Sequence, residues 1–154
     1  MGKEHHYTLS LRWTGNRGDG TSGYRDYDRH HIICAQGKPE IVGSSDPAFL
    51  GHPERWNPEE LLLASIAACH KLWYLHLCST KGIIVVAYED EPYGTVIEEA
   101  NGAGQFSSVI LSPIVTISKG NPEIAKKLHE NVGDLCFIAR SINFPIRHNA
   151  TIRT

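Results

Sequence analysis

An α+β fold is the class this 154-residue chain predicts, and three observations carry it. The segment up to Trp56 consists of short runs of alternating apolar and polar residues broken by Gly-rich turns. The stretch RWNPEELLLASIAACHKLWYLHLCS then has helical length and helical punctuation. Two further β-rich runs, a second capped helix and an extended tail give the order strands, helix, hairpin, helix, strand. A chain of this length can bury its own core, so residues 1–154 are expected to form one domain.

In chain order, HYTLSLRW, YRDYDRHHIICA and GKPEIVG read as two or three strands, with TGNRGDGTSG as a turn and GSSDPAFLGHPERW as a long loop. Asn57, Pro58 and Glu60 make a helix start: Asn as N-cap, Pro at the first helical position, and an acid at the third that can reach back to the cap amide. From Leu61 to Cys78 the one formal charge is Lys71. Lys71, His70 and His76 near its centre argue against a membrane span. A helix apolar on nearly every side must be surrounded by protein, and a second copy of the chain is a natural cover. Gly82 ends the helix; IIVVAYEDEPYG and GQFSSVILSPIVTIS then read as one long hairpin with EEANGAG at its tip. A second helix starts at Asn121-Pro122-Glu123 and runs to about Gly133. Asp134 looks like a fresh N-cap for a short turn holding Leu135, Cys136 and Phe137, and FPIRHNATIRT reads as a last strand.

The 15 basic and 17 acidic residues are scattered, so no nucleic-acid or anionic-membrane surface is expected. MGKEHHYTLSLRW has no apolar signal-peptide core, which predicts a cytoplasmic setting. Four cysteines, Cys34, Cys69, Cys78 and Cys136, are widely spaced and never form CxxC. That pattern fits neither a disulfide-dense secreted scaffold nor a zinc ribbon. They are therefore either buried filler or redox groups. Cys69 in the run AAC suits close helix packing, whereas Cys136, two residues after the expected cap, sits where a thiolate is favoured. Two such thiols are the minimum for cycling between dithiol and disulfide, provided the fold brings their Cα atoms within about 7 Å.

NPEELLLASIAAC resembles the start of the central helix of the OsmC/Ohr family, the osmotically inducible and organic hydroperoxide resistance proteins. Cys136 lies at the matching remove downstream, and WTGNRGDGT resembles the family's arginine-bearing N-terminal turn. The resemblance implies antiparallel sheets wrapped around central helices in an intertwined homodimer with sites at the subunit boundary. It also implies a cysteine-based peroxidase acting on organic hydroperoxides, with no bound cofactor and an external dithiol, such as a lipoylated protein, as reductant. Cys69 would be the peroxidatic thiolate and Cys136 the resolving thiol; Arg17 would stabilise the thiolate and Glu59 would hold Arg17, with Arg25 as the rival arginine. The physical reading supports a cation, because a thiol buried in an apolar helix is inert without one, and Arg keeps its charge in a dry site. Glu59 precedes Cys69 by ten residues, roughly 15 Å along the helix axis, so it must act through Arg17 or on the partner's thiol.

Where the family often has an aromatic after the first cysteine and a proline after the second, this chain has His70 and Phe137. His70 points about 100° away from Cys69 and is expected to line the substrate pocket with Trp73 and Phe137. Cys78 falls on the opposite face and, like Cys34, is expected to be filler. Three rival readings remain. A metal site would have to use pairs such as His5-His6 and His30-His31, whose neighbours point to opposite faces of a strand, and no metal is expected. A dimer of the same fold could serve a non-peroxidase binding or redox-sensing role. A hydrolase using Cys69 with His70 as base is disfavoured because the two side chains diverge.

Overall fold

The computed structural model describes residues 2–154. They form two compact units, the first reaching to Leu61 and the second running Leu62–Thr154.

The first unit is a three-stranded antiparallel meander, β1 (Ser10–Trp13), β2 (His31–Cys34) and β3 (Ile41–Gly43), in that order. Leu11 sits opposite Ile33 and Ile33 opposite Ile41, so these three share one face, with Ile32 and Val42 on the other. Between β1 and β2, the Asn16 carboxamide accepts from the amides of Gly18 (2.9 Å) and Gly20 (3.0 Å), folding the Gly-rich turn around Arg17. The loop that follows β3 is pinned to it by amide bonds from Ser44 to the Trp56 carbonyl and from Trp56 to the Val42 carbonyl.

The long helix α1 (Pro58–Thr80) begins as its capping residues predict. The Asn57 side chain accepts from the Glu60 amide at 2.8 Å, and the Glu60 carboxylate accepts from the Asn57 amide at 3.1 Å. Gly82, at φ +68°, ends it by letting the Ile83 amide reach back to the Cys78 carbonyl. By length and composition α1 could cross a membrane. Its stripe Ile66, His70, Tyr74 and Cys78 is nevertheless buried in protein.

The second unit departs from the expected hairpin. Four strands follow α1: β4 (Ile84–Glu89), β5 (Tyr93–Glu98), β6 (Gly104–Leu111) and β7 (Ile114–Lys119). β4 pairs with β7 and β5 with β6, in separate sheets. Pro92 and Pro113 interrupt the ladder where each lacks an amide proton, and the Asp90 carboxylate takes the Ser112 amide (2.7 Å) at the break. The tail likewise divides into β8 (Ile146–His148), parallel to β6, and β9 (Thr151–Arg153), parallel to β7. It follows the same break, because the Asn149 and Thr151 amides donate to the carbonyls of Leu111 and Pro113.

Between β7 and β8 lies α2 (Pro122–Val132), whose Asn121 cap accepts from the amides of Glu123 and Ile124. Tyr74 and Cys78 of α1, Val115 and Ile117 of β7, Ala125, Leu128 and Val132 of α2, and Cys136 share one buried apolar cluster. A second cluster gathers Ile66, Val109 and Leu111.

Candidate functional site

The two thiols singled out from the sequence meet. Cys69 and Cys136 form a disulfide across 67 residues of sequence, with Cα atoms 5.9 Å apart. Cys69 is partly buried on α1, whereas Cys136 is only 1 % exposed.

Cys136 reaches this position through a turn that differs from the expected one. Asp134 caps nothing; the chain leaves α2 with the Leu135 and Cys136 amides both donating to the Val132 carbonyl. Cys136 lies just ahead of the short 3-10 turn Ala139–Ser141 and is tied to it: its carbonyl accepts from the Arg140 amide (3.0 Å) and its sulfur from the Ala139 amide (3.3 Å). Phe137, where a proline was the family expectation, leaves this turn with 64 % of its surface exposed and places its ring edge-to-face with Trp73 at 6.1 Å.

Trp73 follows Cys69 by four residues and so lies one turn along the same side of α1. With Leu72 and His76 it lines a largely apolar recess of about 270 Å³. Trp73 and Phe137 are thus brought together, each beside one of the bonded cysteines.

His70 is not at that recess. It is 5 % exposed and turned inward, where its Nε2 lies 2.9 Å from Nδ1 of His129 on α2, which is 1 % exposed. The two rings are nearly parallel (6°) with centroids 5.2 Å apart, so the bond runs edge to edge. Tyr74 stacks on His129 at 3.8 Å, and His148 of β8 stands 5.8 Å from both imidazoles. Burial, with the neighbouring His148, lowers the His70 pKa to about 4; burial with His70 and His148 lowers that of His129 to about 3. Both are neutral, and His129 Nε2 is buried without a partner. The expected lining role of His70 is therefore corrected to an interior one: on α1 it falls on the buried stripe with Ile66 and Tyr74. His129 and His148 escaped the sequence reading. The available signal was a histidine among Ala125, Leu128 and Val132, the buried positions of an otherwise polar helix.

Cys78 is buried in the core with its thiol pKa pushed up by that burial, the state of an inert filler. Cys34 donates to Glu40 at 3.5 Å. Among the described residues no group of three or more His, Cys, Asp or Glu side chains is placed to hold a metal ion.

Arg17 and Glu59 belong to the first unit. Arg17 donates from Nε to the Asp26 carbonyl (3.2 Å) and from Nη2 to the Arg25 carbonyl, and lies 3.9 Å from Asp28. Within the chain, the carboxylate that faces Arg17 is that of Asp28, because Arg17 folds back over the segment 25–28. Arg25, the rival arginine, contributes a carbonyl to this arrangement.

A model of the OsmC-like protein family matches residues 51–151. The chain belongs to that family. The uncharacterized protein YmaD of Bacillus subtilis (strain 168) is 24 % identical over 157 aligned positions, covering 97 % of this chain and 96 % of its own. An OsmC-like protein of unknown function from Vibrio cholerae has the same fold, with a TM-score of 0.84 at 22 % identity over 96 % of this chain and all of that one. An organic hydroperoxide resistance protein from Elizabethkingia anophelis matches at TM-score 0.69 and 18 % identity, over 99 % of each chain. The α+β, OsmC-like architecture predicted from the sequence is therefore the observed one.

Proposed function

We propose that this OsmC-like protein is a cytoplasmic, thiol-dependent peroxidase that reduces organic hydroperoxides to alcohols in oxidative stress defence. The observation that carries the reading is the Cys69–Cys136 pairing, 5.9 Å between Cα atoms, beside the Trp73 and Phe137 rings. The Cys69 thiolate attacks the terminal peroxide oxygen; the O–O bond breaks, the alkoxide takes a proton and leaves as alcohol, and Cys69 becomes a sulfenic acid. The Cys136 thiolate then attacks that sulfur, expelling hydroxide that leaves as water, and the disulfide forms. An external dithiol, such as a lipoylated protein, reduces it through a mixed disulfide. The family resemblance supplies Arg17 as the cation favouring the Cys69 thiolate and Glu59 as its orienting carboxylate. Trp73 and Phe137 provide apolar surface for the organic part of the substrate.

A homodimer accompanies this reading. On α1 the stripe Ala64, Ala68, Leu72 and His76 is exposed, Leu72 by 61 %, and Leu11 and Trp13 of β1 are exposed as well. Apolar faces of this kind favour association with a second copy.

The test is stopped-flow mixing of reduced protein with cumene hydroperoxide while free thiol is followed. Two thiols should be lost per peroxide, with a Cys69–Cys136 peptide in the digest. A Cys69→Ser protein that consumes peroxide as fast as wild type would remove the proposal.

A further inference from the structure

We infer that His129 is a positioning residue for the thiol pair: its hydrogen bond to His70 holds the end of α2 in register against α1, so that Cys136 stays within bonding reach of Cys69 when the disulfide is open. The inference deepens the reading of Cys69 and Cys136 as a working redox pair and rests on it.

Its ground is where the bond sits. His70 directly follows Cys69, and Val132, less than one turn beyond His129, supplies the carbonyl on which the Cys136 amide hangs. The His70–His129 bond therefore joins the two chain segments that carry the thiols, one residue from Cys69 on α1 and seven from Cys136 on the other side. Otherwise α1 and α2 meet through the apolar cluster of Tyr74, Cys78, Ala125, Leu128 and Val132. Apolar contact is non-directional and tolerates sliding, whereas a hydrogen bond is lost beyond a few tenths of an ångström. The tolerance available is small: Cα atoms at 5.9 Å have about 1 Å of slack before a disulfide can no longer close.

Energetics point the same way. Two imidazoles are desolvated for one shared proton, and His129 Nε2 is left unpartnered whichever nitrogen donates. Stability alone would favour a leucine at position 129, like Leu128 beside it. A polar pair retained in a core at such a cost is accounted for by the register it specifies. Tyr74, stacked on the His129 ring, and His148, beside both rings, hold the imidazoles in the orientation that the bond needs.

The experiment equilibrates the full-length protein with reduced and oxidised glutathione and measures the effective concentration of the Cys69/Cys136 pair, without any hydroperoxide. His129→Leu should lower it about fivefold to tenfold, the scale of one net hydrogen bond. His129→Asn, whose amide can stand where Nδ1 stands, should restore it to within about twofold of wild type. Val109→Ala, in the separate cluster with Ile66 and Leu111, destabilises the fold without touching the bond and should leave it unchanged. His70→Leu removes the bond from the α1 side and must reproduce the loss, which keeps the test valid should His129→Leu fold poorly. The inference is overturned if neither leucine variant changes the effective concentration by more than about twofold, or if Val109→Ala lowers it as much as they do. A protein that fails to turn over hydroperoxide yet shows this pattern would refute the peroxidase reading and leave the positioning role standing.

Discussion

Lowering the pH from 7 to 5 is a perturbation whose effect follows from the two buried imidazoles. In the unfolded chain His70 and His129 titrate near 6.5; in the fold, burial lowers them to about 4 and about 3. The unfolded state therefore binds protons that the folded state refuses, and stability falls as pH drops below 6.5 and continues falling towards the folded values. At pH 5 an unfolded histidine with pKa 6.5 gains about 2 kcal/mol from protonation, while the folded one gains almost nothing, so the two together remove about 4 kcal/mol relative to neutral pH. That is a large part of the 5–15 kcal/mol typical of a domain. Protonating the ring that accepts across the 2.9 Å bond also converts its acceptor to a donor and sets two N–H groups face to face. The assay is guanidinium unfolding of the oxidised protein at pH 7 and pH 5, followed by tryptophan fluorescence and far-UV circular dichroism. The double substitution of His70 and His129 by Leu is run in parallel to subtract other titrating groups. Wild type should lose about 4 kcal/mol more than the double variant between the two pH values. A difference below about 1 kcal/mol would show that the imidazoles are solvated or already charged in the fold, and the reasoning from burial would fail.

Three further outcomes are expected. Asn57→Ala removes the side-chain half of the reciprocal cap at the start of α1, leaving the Glu60 carboxylate its bond from the residue-57 amide, and should cost about 1 kcal/mol in denaturant unfolding, with Glu60→Ala costing less because the Asn57 oxygen still holds the residue-60 amide. Cys78→Ala should leave the Cys69–Cys136 disulfide and peroxide consumption unchanged while lowering stability by about 1 kcal/mol, since that thiol only fills the core; loss of disulfide formation would give it a chemical role. Trp73→Ala opens the apolar recess and should raise KM for an aromatic hydroperoxide about tenfold with little change for hydrogen peroxide; an equal effect on both substrates would place Trp73 outside substrate binding.

What was legible in the sequence was local. Asn57-Pro58-Glu60 and Asn121-Pro122 mark helix starts because capping is decided within four residues, and both helices begin where those residues say. Gly82 marks an end for the same reason. The missed features depend on partners distant in sequence. Asp90 pairing with the Ser112 amide splits what alternation alone presents as one hairpin, and the tail divides because it follows that split. Sequence points to Cys136 but suggests Asp134 as the cap of its turn, because an acid is the commoner cap and a sulfur accepting an amide proton has no sequence signature. Helical rotation alone makes His70 a lining residue, since its partner, His129, lies 59 positions away on another helix.

The two neighbours Cys69 and His70 divide the polar work of α1. A step of about 100° separates them, so the sulfur turns to Cys136 and the recess beside Trp73, while the imidazole turns to the interior stripe of Ile66, Tyr74 and Cys78. Consecutive helical positions share a backbone, which means that rotating or sliding α1 enough to free His70 from His129 must also displace Cys69. The same rigidity acts on the other side, where the carbonyl of Val132 ties Cys136 to the helix that carries His129. A polar pair within an apolar helix is thus two contacts made to one segment, α2 with Cys136 at its end. Closing the disulfide and making the imidazole bond are each favoured by the geometry that the other requires, and by thermodynamic reciprocity each should strengthen the other by the same factor.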